Sequence, residues 1–230
     1  MTCVRWWMRW SPNWRSDVAA IPMFPLQVAM LPGEELPLRI FEPRYSALVS
    51  DCLADADPAF GVVLIAAGRE VGGGDTRSDV GALAHITEVA DFGDGRYRLK
   101  CMMGERLRVI EWQPDDPYPR AAVEPWPDAP GDAVEVDAIR DVEDRIVALF
   151  ERIAAARGAP EVDARDIVRG ADASDDAGKW LYALASRLPM GQADRYAVLA
   201  APTAAERLAA LSDAVETVTA MVEFQLSSGE

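Results

Sequence analysis

The sequence predicts an α+β fold in which an antiparallel, β-barrel-like domain is followed by a helical bundle. Short apolar segments separated by Gly, Pro and Asp occupy residues 21–126, as is typical of a β domain whose strands close on one another. Six of the sixteen prolines fall shortly before residue 131, and beyond them apolar residues recur at helical spacing. We therefore divide the chain into a poorly ordered leader of residues 1–20, a β-rich domain of residues 21–130 and a helical domain of residues 131–230.

The β domain is predicted from apolar segments and from the turns between them. A tight hairpin is indicated by the Asp94–Gly95 turn. Residues 69–79, which include three consecutive glycines, predict a flexible polar loop. The predicted strands cover residues 24–26, 36–41, 60–65, 80–89, 97–103, 107–112 and 121–126.

One helix is predicted inside the β domain, beginning at Pro43. Proline is favoured at the first helical position because the N–H that it lacks would have no partner there. Tyr45, Leu48, Val49 and Cys52 recur at i, i+3, i+4 and i+7, so they form one apolar stripe.

The helical domain is predicted from longer apolar repeats. Residues 139–153 alternate spacings of three and four, and Gly158 ends that helix. Shorter helices are predicted at residues 180–188 and 192–199. A Thr-x-x-Glu capping box at residues 203–206 opens a long helix with an apolar seam. These repeats favour an intramolecular bundle because they are short for a coiled coil between molecules, which remains the alternative.

The charge of the chain limits its partners. The chain has 38 acidic and 23 basic side chains, which give a formal net charge of −15. Because this field repels polyanions, we expect neither nucleic acid nor an anionic membrane to be the main partner. We also expect no transmembrane helix, since no apolar run is long enough. The charge does not predict the oligomeric state.

The leader differs from the rest of the chain in holding four of the seven Trp. Arg5 and Arg9 interrupt the apolar core that a signal peptide needs. Docking at a membrane interface and folding back onto the acidic body are both open to such a segment. We favour an untethered or misassigned leader, because chain termini are commonly poorly ordered.

Neither a metal site nor a cofactor is expected. Cys3, Cys52, Cys101 and His85 supply the residue types of a zinc site, yet neither the CxxC nor the HxxxH spacing is present. Buried free thiols in a reducing cytoplasm are the favoured interpretation.

We also predict no catalytic residues. The sequence lacks a Walker A loop, a GxSxG elbow and an HExxH helix. His85 lies in a predicted strand, where a lone histidine is more often structural than a general base. A small hydrolase that uses His85 with a carboxylate is the enzyme alternative.

Several ordered motifs resemble the N-terminal, substrate-recognition domain of Lon protease, which also occurs as a stand-alone protein. FPL at residues 24–26 and LPGEELPLRIFEPRY at residues 31–45 resemble the opening of that domain. VGALAHI at residues 80–86 resembles its GT-x-A-x-I strand, and GERLRV at residues 104–109 resembles its G-x-x-R-F-R-V strand. The helical tail at residues 181–226 is similar to its C-terminal bundle.

The resemblance covers residues 21–228 and departs from the family pattern at Ala82 and Leu107. It implies a PUA-like barrel and a non-enzymatic module that recognises unfolded or extended polypeptides, without the Lon ATPase and Ser–Lys peptidase parts. A protease or chaperone is a further implied partner. Since the family's barrel also resembles RNA-binding folds, nucleic-acid binding is another alternative, which the charge disfavours.

Four apolar residues are candidate peptide contacts, because a barrel edge or a groove beside the bundle can accept an extended chain. They are Phe24, Leu26, Met30 and Leu31. Ordinary core is the favoured interpretation, since most apolar strand residues are buried. The residues that carry the family signature are expected to be structural: Pro25, Pro32, Gly33, Leu36, Arg39, Phe41, Glu42, Pro43, Arg44, Tyr45, Gly81, Gly104 and Arg106.

Overall fold

The structure is a computed structural model that describes residues 20–67, 76–158, 168 and 176–228. Its strands are β1 (Ala20–Leu26), β2 (Glu35–Ile40), β3 (Ala59–Ala67), β4 (Thr76–Asp91), β5 (Tyr97–Gln113) and β6 (Arg120–Pro125). Its helices are α1 (Pro43–Cys52), α2 (Val136–Ala156), α3 (Ala177–Ala185), α4 (Gln192–Leu199) and α5 (Ala204–Ser228). The α+β class is confirmed. The predicted leader, apart from Ala20, and the three consecutive glycines lie outside the described residues.

The strands form one mixed sheet in the order β2-β5-β4-β3-β1-β6, and β6 also pairs with β5. Strands β1 and β3 run parallel, with Met23 opposite Gly61, while the other pairs are antiparallel. The prediction of a purely antiparallel domain is therefore wrong. The connection from β1 to β3 contains β2 and α1, and a crossover of this length can return the chain in the same direction.

Strand β5 is one continuous strand of 17 residues, where two separate strands were predicted. Its first part pairs with β2, its second part pairs with β6, and β4 pairs with it from Tyr97 to Arg108. The register shifts between Val109 and Glu111, which is the kind of irregularity that bends a strand. Residues 76–79, predicted as loop, also belong to a strand, since Thr76 and Arg77 pair with Ala67 and Ile65 of β3. The Arg77 guanidinium lies 4.7 Å from the Trp112 ring centre and pairs with Asp115.

Helix α1 begins at Pro43, as predicted, and buries its apolar stripe. The stripe packs with strand residues such as Phe24 and Phe60 in one apolar cluster. A second cluster is built mainly from α2, α3, α4 and α5, and it includes Leu31 and Val80 from the strand-rich part of the chain. The helices and the sheet therefore share buried residues.

Two predicted helix ends agree with the observed caps, whereas the helix predicted at residues 180–188 spans Ala177–Ala185. Gly158 follows α2 with a φ of 61°, the left-handed conformation that glycine adopts at helix ends. The Thr203 hydroxyl accepts a hydrogen bond from the Glu206 amide at 3.1 Å, as a capping box requires. The Glu206 carboxylate accepts from the Thr203 hydroxyl at 2.9 Å. The seam of α5 packs against the other helices of the same chain.

Candidate functional site

A groove of about 550 Å³ lies where the loop between β1 and β2 meets the link between α3 and α4. This volume falls within the range of roughly 300–1,000 Å³ that is usual for ligand sites. One wall of the groove is formed by residues of this loop between Val28 and Glu35, which is the first residue of β2. The apolar side chains in its lining are Val28, Met30, Leu188, Pro189 and Met190.

Helix α4 holds the loop in place through two hydrogen bonds at one residue. The amide of Ala29 donates to Oε1 of Gln192 at 2.8 Å, and Nε of Arg195 donates to the Ala29 carbonyl at 2.9 Å. Both bonds join segments more than 160 residues apart in the chain. The two walls of the groove are therefore connected directly.

An ion pair strengthens the same connection. Nη2 of Arg195 lies 2.6 Å from Oε1 of Glu34, and the two side chains are only 12% and 14% exposed. Oε2 of Glu34 accepts from the Leu31 amide at 2.8 Å, and the Leu31 side chain is fully buried in the helical cluster. Gly33 allows the turn between them with a φ of 88°. The loop is thus preorganised before any ligand binds.

The structure separates the four candidate peptide contacts. Phe24 and Leu26 are buried in the cluster beneath α1, and Leu31 is buried among the helices. Met30 is partly exposed and lines the groove. Val28 and the helical wall were not predicted from the sequence; the Pro189 break between two predicted helices was the one local signal near that wall.

The signature residues around the start of α1 are held by local contacts. Glu42 and Arg44 form an ion pair at 3.1 Å, and the Arg44 guanidinium lies 4.4 Å from the Tyr45 ring centre. Tyr45 stacks on Phe24 with ring centres 4.1 Å apart. Phe41 is different, because 68% of it is exposed and it belongs to none of the buried clusters.

Two signature glycines are required by close contacts. A Cβ added at Gly81 would lie 2.0 Å from the Val62 carbonyl oxygen, which is backbone and cannot move aside cheaply. A Cβ at Gly104 would lie 2.7 Å from Nε2 of His85. Both positions therefore serve strand packing and side-chain placement.

Arg106 joins the sheet to the helices. Its guanidinium donates to the carbonyls of Leu199 and Ala201 at 2.8 and 2.6 Å, and to the Asp128 carboxylate at 2.6 Å. The buried Arg207 donates to the same carboxylate at 2.8 Å. Burial would raise the pKa of Asp128, but the hydrogen bonds and charge of Arg207, with the charge of Arg106, hold it below its ordinary value.

His85 lies between two carboxylates. Its Nδ1 is 3.7 Å from Asp57 and its Nε2 is 3.5 Å from Glu105. The hydrogen bond to Glu105 raises the pKa of His85, partial burial opposes this, and the charge of Asp57 adds to it. Because both ring nitrogens face carboxylates, this arrangement stabilises the protonated imidazolium form of His85. It does not direct a ring nitrogen at a nucleophile, as a general base requires.

Replacing His85 by Gln is therefore expected to destabilise the protein in acid and to have little effect in base. The histidine gains its partners by folding, so its contribution is complete below the unfolded pKa of about 6.5 and is lost as the pH rises through the higher folded pKa. Since the carboxylates are half exposed, we expect about 0.2–1 kcal/mol at pH ~5.5. Urea unfolding at that pH and near pH ~8.5 measures the difference. An equal loss at both values would contradict the assignment.

The cysteines in the described part of the chain are free and buried. Burial raises the pKa of both Cys52 and Cys101 to about 12, which leaves their thiols protonated and unreactive. Cys3 lies outside the described residues. Within residues 20–67, 76–158, 168 and 176–228, no cluster of His, Cys, Asp and Glu is arranged to hold a metal ion. None of the helices in these ranges is long and apolar enough to cross a membrane.

Sequence relatives include large proteins that share one region with this chain. A Lon protease of Anaeromyxobacter dehalogenans is 29% identical over 128 residues, which are 54% of this chain and 15% of that protein. A LON peptidase N-terminal domain and RING finger protein of Schizosaccharomyces pombe is 25% identical over 138 residues, 54% of this chain and 28% of that protein. The chain thus matches less than a third of the length of these relatives.

Solved structures match over most of their length. A Lon N-terminal domain protein from Xanthomonas campestris has a TM-score of 0.58 and 26% identity, covering 84% of this chain and 96% of that one. The N-terminal domain of a Mycobacterium avium complex Lon protease has a TM-score of 0.58 at 16% identity, covering 86% and 98%, and shows the common fold. A family model described as the ATP-dependent protease La (LON) substrate-binding domain matches residues 20–217. This chain therefore belongs to the family of LON substrate-binding domains.

Proposed function

We propose that this chain binds unfolded or extended polypeptide segments, without cutting them, in the groove between the β1–β2 loop and the α3–α4 link. The observation that carries this proposal is a groove that combines apolar and polar side chains in its lining and whose walls are joined by the Glu34–Arg195 ion pair and neighbouring hydrogen bonds. A preorganised groove of this kind loses little conformational entropy when a ligand enters.

The lining suits an aliphatic side chain of an extended segment. Val28 is 39% exposed, and Met30 lies beside it with a flexible thioether chain that adapts to different shapes. Such a surface favours many apolar sequences over one particular sequence. Broad selection of this type is what recognition of unfolded chains requires.

Binding without catalysis is supported by the chemistry of the described residues. His85 faces carboxylates on both sides, and the described thiols have raised pKa values. The family model that covers residues 20–217 is that of a substrate-binding domain. A protease or chaperone that receives the bound polypeptide is part of the proposal, as is a reducing, cytoplasmic location, which the free thiols support.

We also propose that the chain is divided near residue 130 into a barrel-like part and a helical bundle. Pairing of β6 with both β1 and β5 supports a barrel-like wall. The groove would then lie between the two parts, because the β1–β2 loop belongs to the first and α4 to the second. A site between two structural units is a common position for ligand binding.

Replacing Met30 by Asp tests the groove. A carboxylate in this apolar lining would have to be desolvated by each apolar ligand, so we expect binding to weaken by about tenfold or more. The probe is fluorescein-labelled, reduced and carboxymethylated lactalbumin, which stays unfolded, and fluorescence anisotropy measures its affinity. Val28→Asp is expected to act in the same direction from an exposed position that carries little folding stability.

The matched control is Met221→Asp on α5, where the methionine is 55% exposed and lies outside the groove. This variant should bind the probe as the unmodified chain does. The groove assignment would be contradicted if the Met30 and Val28 variants bound the probe as tightly as the unmodified chain does and had unchanged melting temperatures. Fragments of the probe detected by mass spectrometry after incubation with the purified chain would contradict binding without cleavage.

A further inference from the structure

A second surface lies at the other end of β2 from the groove. Arg39 of β2 is directly opposite Arg98 of β5, and both side chains are exposed. Phe41 follows β2, while Phe92 and Arg96 lie in the turn between β4 and β5, next to the paired ends of these strands. We name these five residues the Arg–Phe face. Arg39 lies four residues along β2 from Glu35 of the groove lining, which is about 13 Å at the usual rise of a β-strand.

The three arginines of the Arg–Phe face form no ion pair within the described part of the chain. Arg39, Arg96 and Arg98 make no ion pair with a described residue, although acidic side chains outnumber basic ones by 38 to 23. Of the nearby carboxylates, Glu88 pairs with Lys100 at 2.8 Å. Asp91 accepts from the Gly93 amide at 2.8 Å and keeps its charge, but it forms no ion pair with these arginines. Asp94 lies at the tip of the same turn.

The cross-strand pair of arginines is unfavourable in the free protein. Like charges directly opposite each other on neighbouring strands repel, and this repulsion destabilises the pairing. An anion placed between Arg39 and Arg98 would remove the repulsion and gain charge-assisted hydrogen bonds. The geometry therefore favours a carboxylate or phosphate ligand at this point.

The apolar part of the face is equally exposed. Phe41 is 68% exposed and Phe92 is 54% exposed, and the Arg98 guanidinium lies 5.5 Å from the Phe92 ring centre. Aromatic residues and arginine are enriched at protein–protein interfaces, where arginine is also a frequent energetic hot spot. This composition argues for a polypeptide partner that carries both carboxylates and apolar side chains. A nucleic acid would be longer than the face, and the negative charge of the rest of the molecule, whose net charge is −15, would repel the phosphates beyond the face.

We propose that the Arg–Phe face binds an acidic segment of a partner protein. Carboxylates of the segment contact Arg39 and Arg98, and its apolar side chains cover Phe41 and Phe92. The ligand lies on the face of the strands and does not extend the sheet. Pro37 has no N–H to offer an added strand at the β2 edge, and edge prolines oppose such pairing. This surface is separate from the groove, so the two ligands do not compete.

The test uses a fluorescein-labelled peptide rich in Asp and Phe, with a matched peptide in which Lys replaces every Asp. We expect the Asp peptide to bind, and its affinity to fall as salt is added. In the double variant Arg39→Glu and Arg98→Glu, affinity should fall about tenfold or more, and Phe41→Ser should weaken binding at every salt concentration. Competition with an unlabelled peptide of Leu, Ser and Asn, which carries no charged side chain, should leave the affinity unchanged.

The control variant carries Arg140→Glu and Phe224→Ser, which alter an exposed arginine and an exposed phenylalanine on α2 and α5. It should bind the Asp peptide normally, and circular dichroism should show every variant folded. Absence of binding to the unmodified chain, equal binding of the Lys peptide, or unchanged affinity of the Arg39/Arg98 variant would overturn the proposal. Single-stranded RNA that binds more tightly than the Asp peptide and is lost in the same variant would reassign the face to nucleic acid. Self-association that this variant abolishes would reassign it to a second copy of the chain.

Discussion

Replacing Asp128 by Ala is expected to lower the free energy of unfolding by about 3–5 kcal/mol. The carboxylate is the shared partner of Arg106 and Arg207, whose side chains are 4% and 1% exposed. Without it, two buried guanidinium groups lose the carboxylate that they share. Urea unfolding followed by circular dichroism measures this loss of stability. The loss would come from the weakened contact between β5 and α5, which Asp128 joins through Arg106 and Arg207.

The loss of stability caused by Asp128→Ala should also depend on pH. The pKa of Asp128 is lower in the folded protein than its ordinary value, so its stabilisation is present at neutral pH and is lost as the pH falls through the folded pKa. The difference between the two proteins should therefore shrink in acid. Asp132→Ala, in the exposed segment that follows, is the control and should change stability by less than about 0.5 kcal/mol. A loss below about 1 kcal/mol for Asp128→Ala would contradict the role of the cluster.

Replacing Phe24 by Ala is expected to cost about 3–5 kcal/mol of stability, the usual range for a large aromatic residue in a core. Phe24 stacks on Tyr45 at 4.1 Å and lies 5.9 Å from the Phe60 ring centre, so its removal leaves a cavity beneath α1. If Phe24 acts only through packing, the fraction that remains folded should bind unfolded lactalbumin with unchanged affinity. Thermal melting and anisotropy on the same sample separate the two effects.

Phe41→Ala is the matched control for this experiment. Phe41 is an exposed phenylalanine of the same signature region, and its replacement should change stability by less than about 0.5 kcal/mol. A Phe24 variant that melts like the unmodified chain but fails to bind the probe would contradict the packing role. It would instead restore Phe24 as a peptide contact, which was the weaker of the two interpretations from the sequence.

The two proposed surfaces have different physical characters. We propose that the groove binds its ligand through apolar contacts, so salt should change its affinity little. The Arg–Phe face depends on charge, so its affinity should fall as salt increases. Because β2 begins beside the groove and ends beside the face, one short strand connects both surfaces. Salt dependence therefore identifies which surface a natural partner uses.

Several elements could be predicted from the sequence because their causes are local. Helix α1 starts at Pro43, has only ten residues and follows the apolar repeat from Tyr45 to Cys52. The hairpin between β4 and β5 turns at Asp94 and Gly95, which both adopt positive φ. The family was recognisable because its motifs are short, ordered and contiguous, and the family model confirmed it over residues 20–217.

The tertiary structure alone decided the features that bring distant residues together. The parallel pairing of β1 with β3 and the continuity of β5 depend on which strands lie side by side, and a short apolar run has no signal for its neighbour. The groove needs Ala29 beside Gln192, 163 residues away, and Arg106 finds its carbonyl partners more than 90 residues away. Local preference acts over a few bonds, whereas these contacts form because the whole chain buries its apolar surface at once.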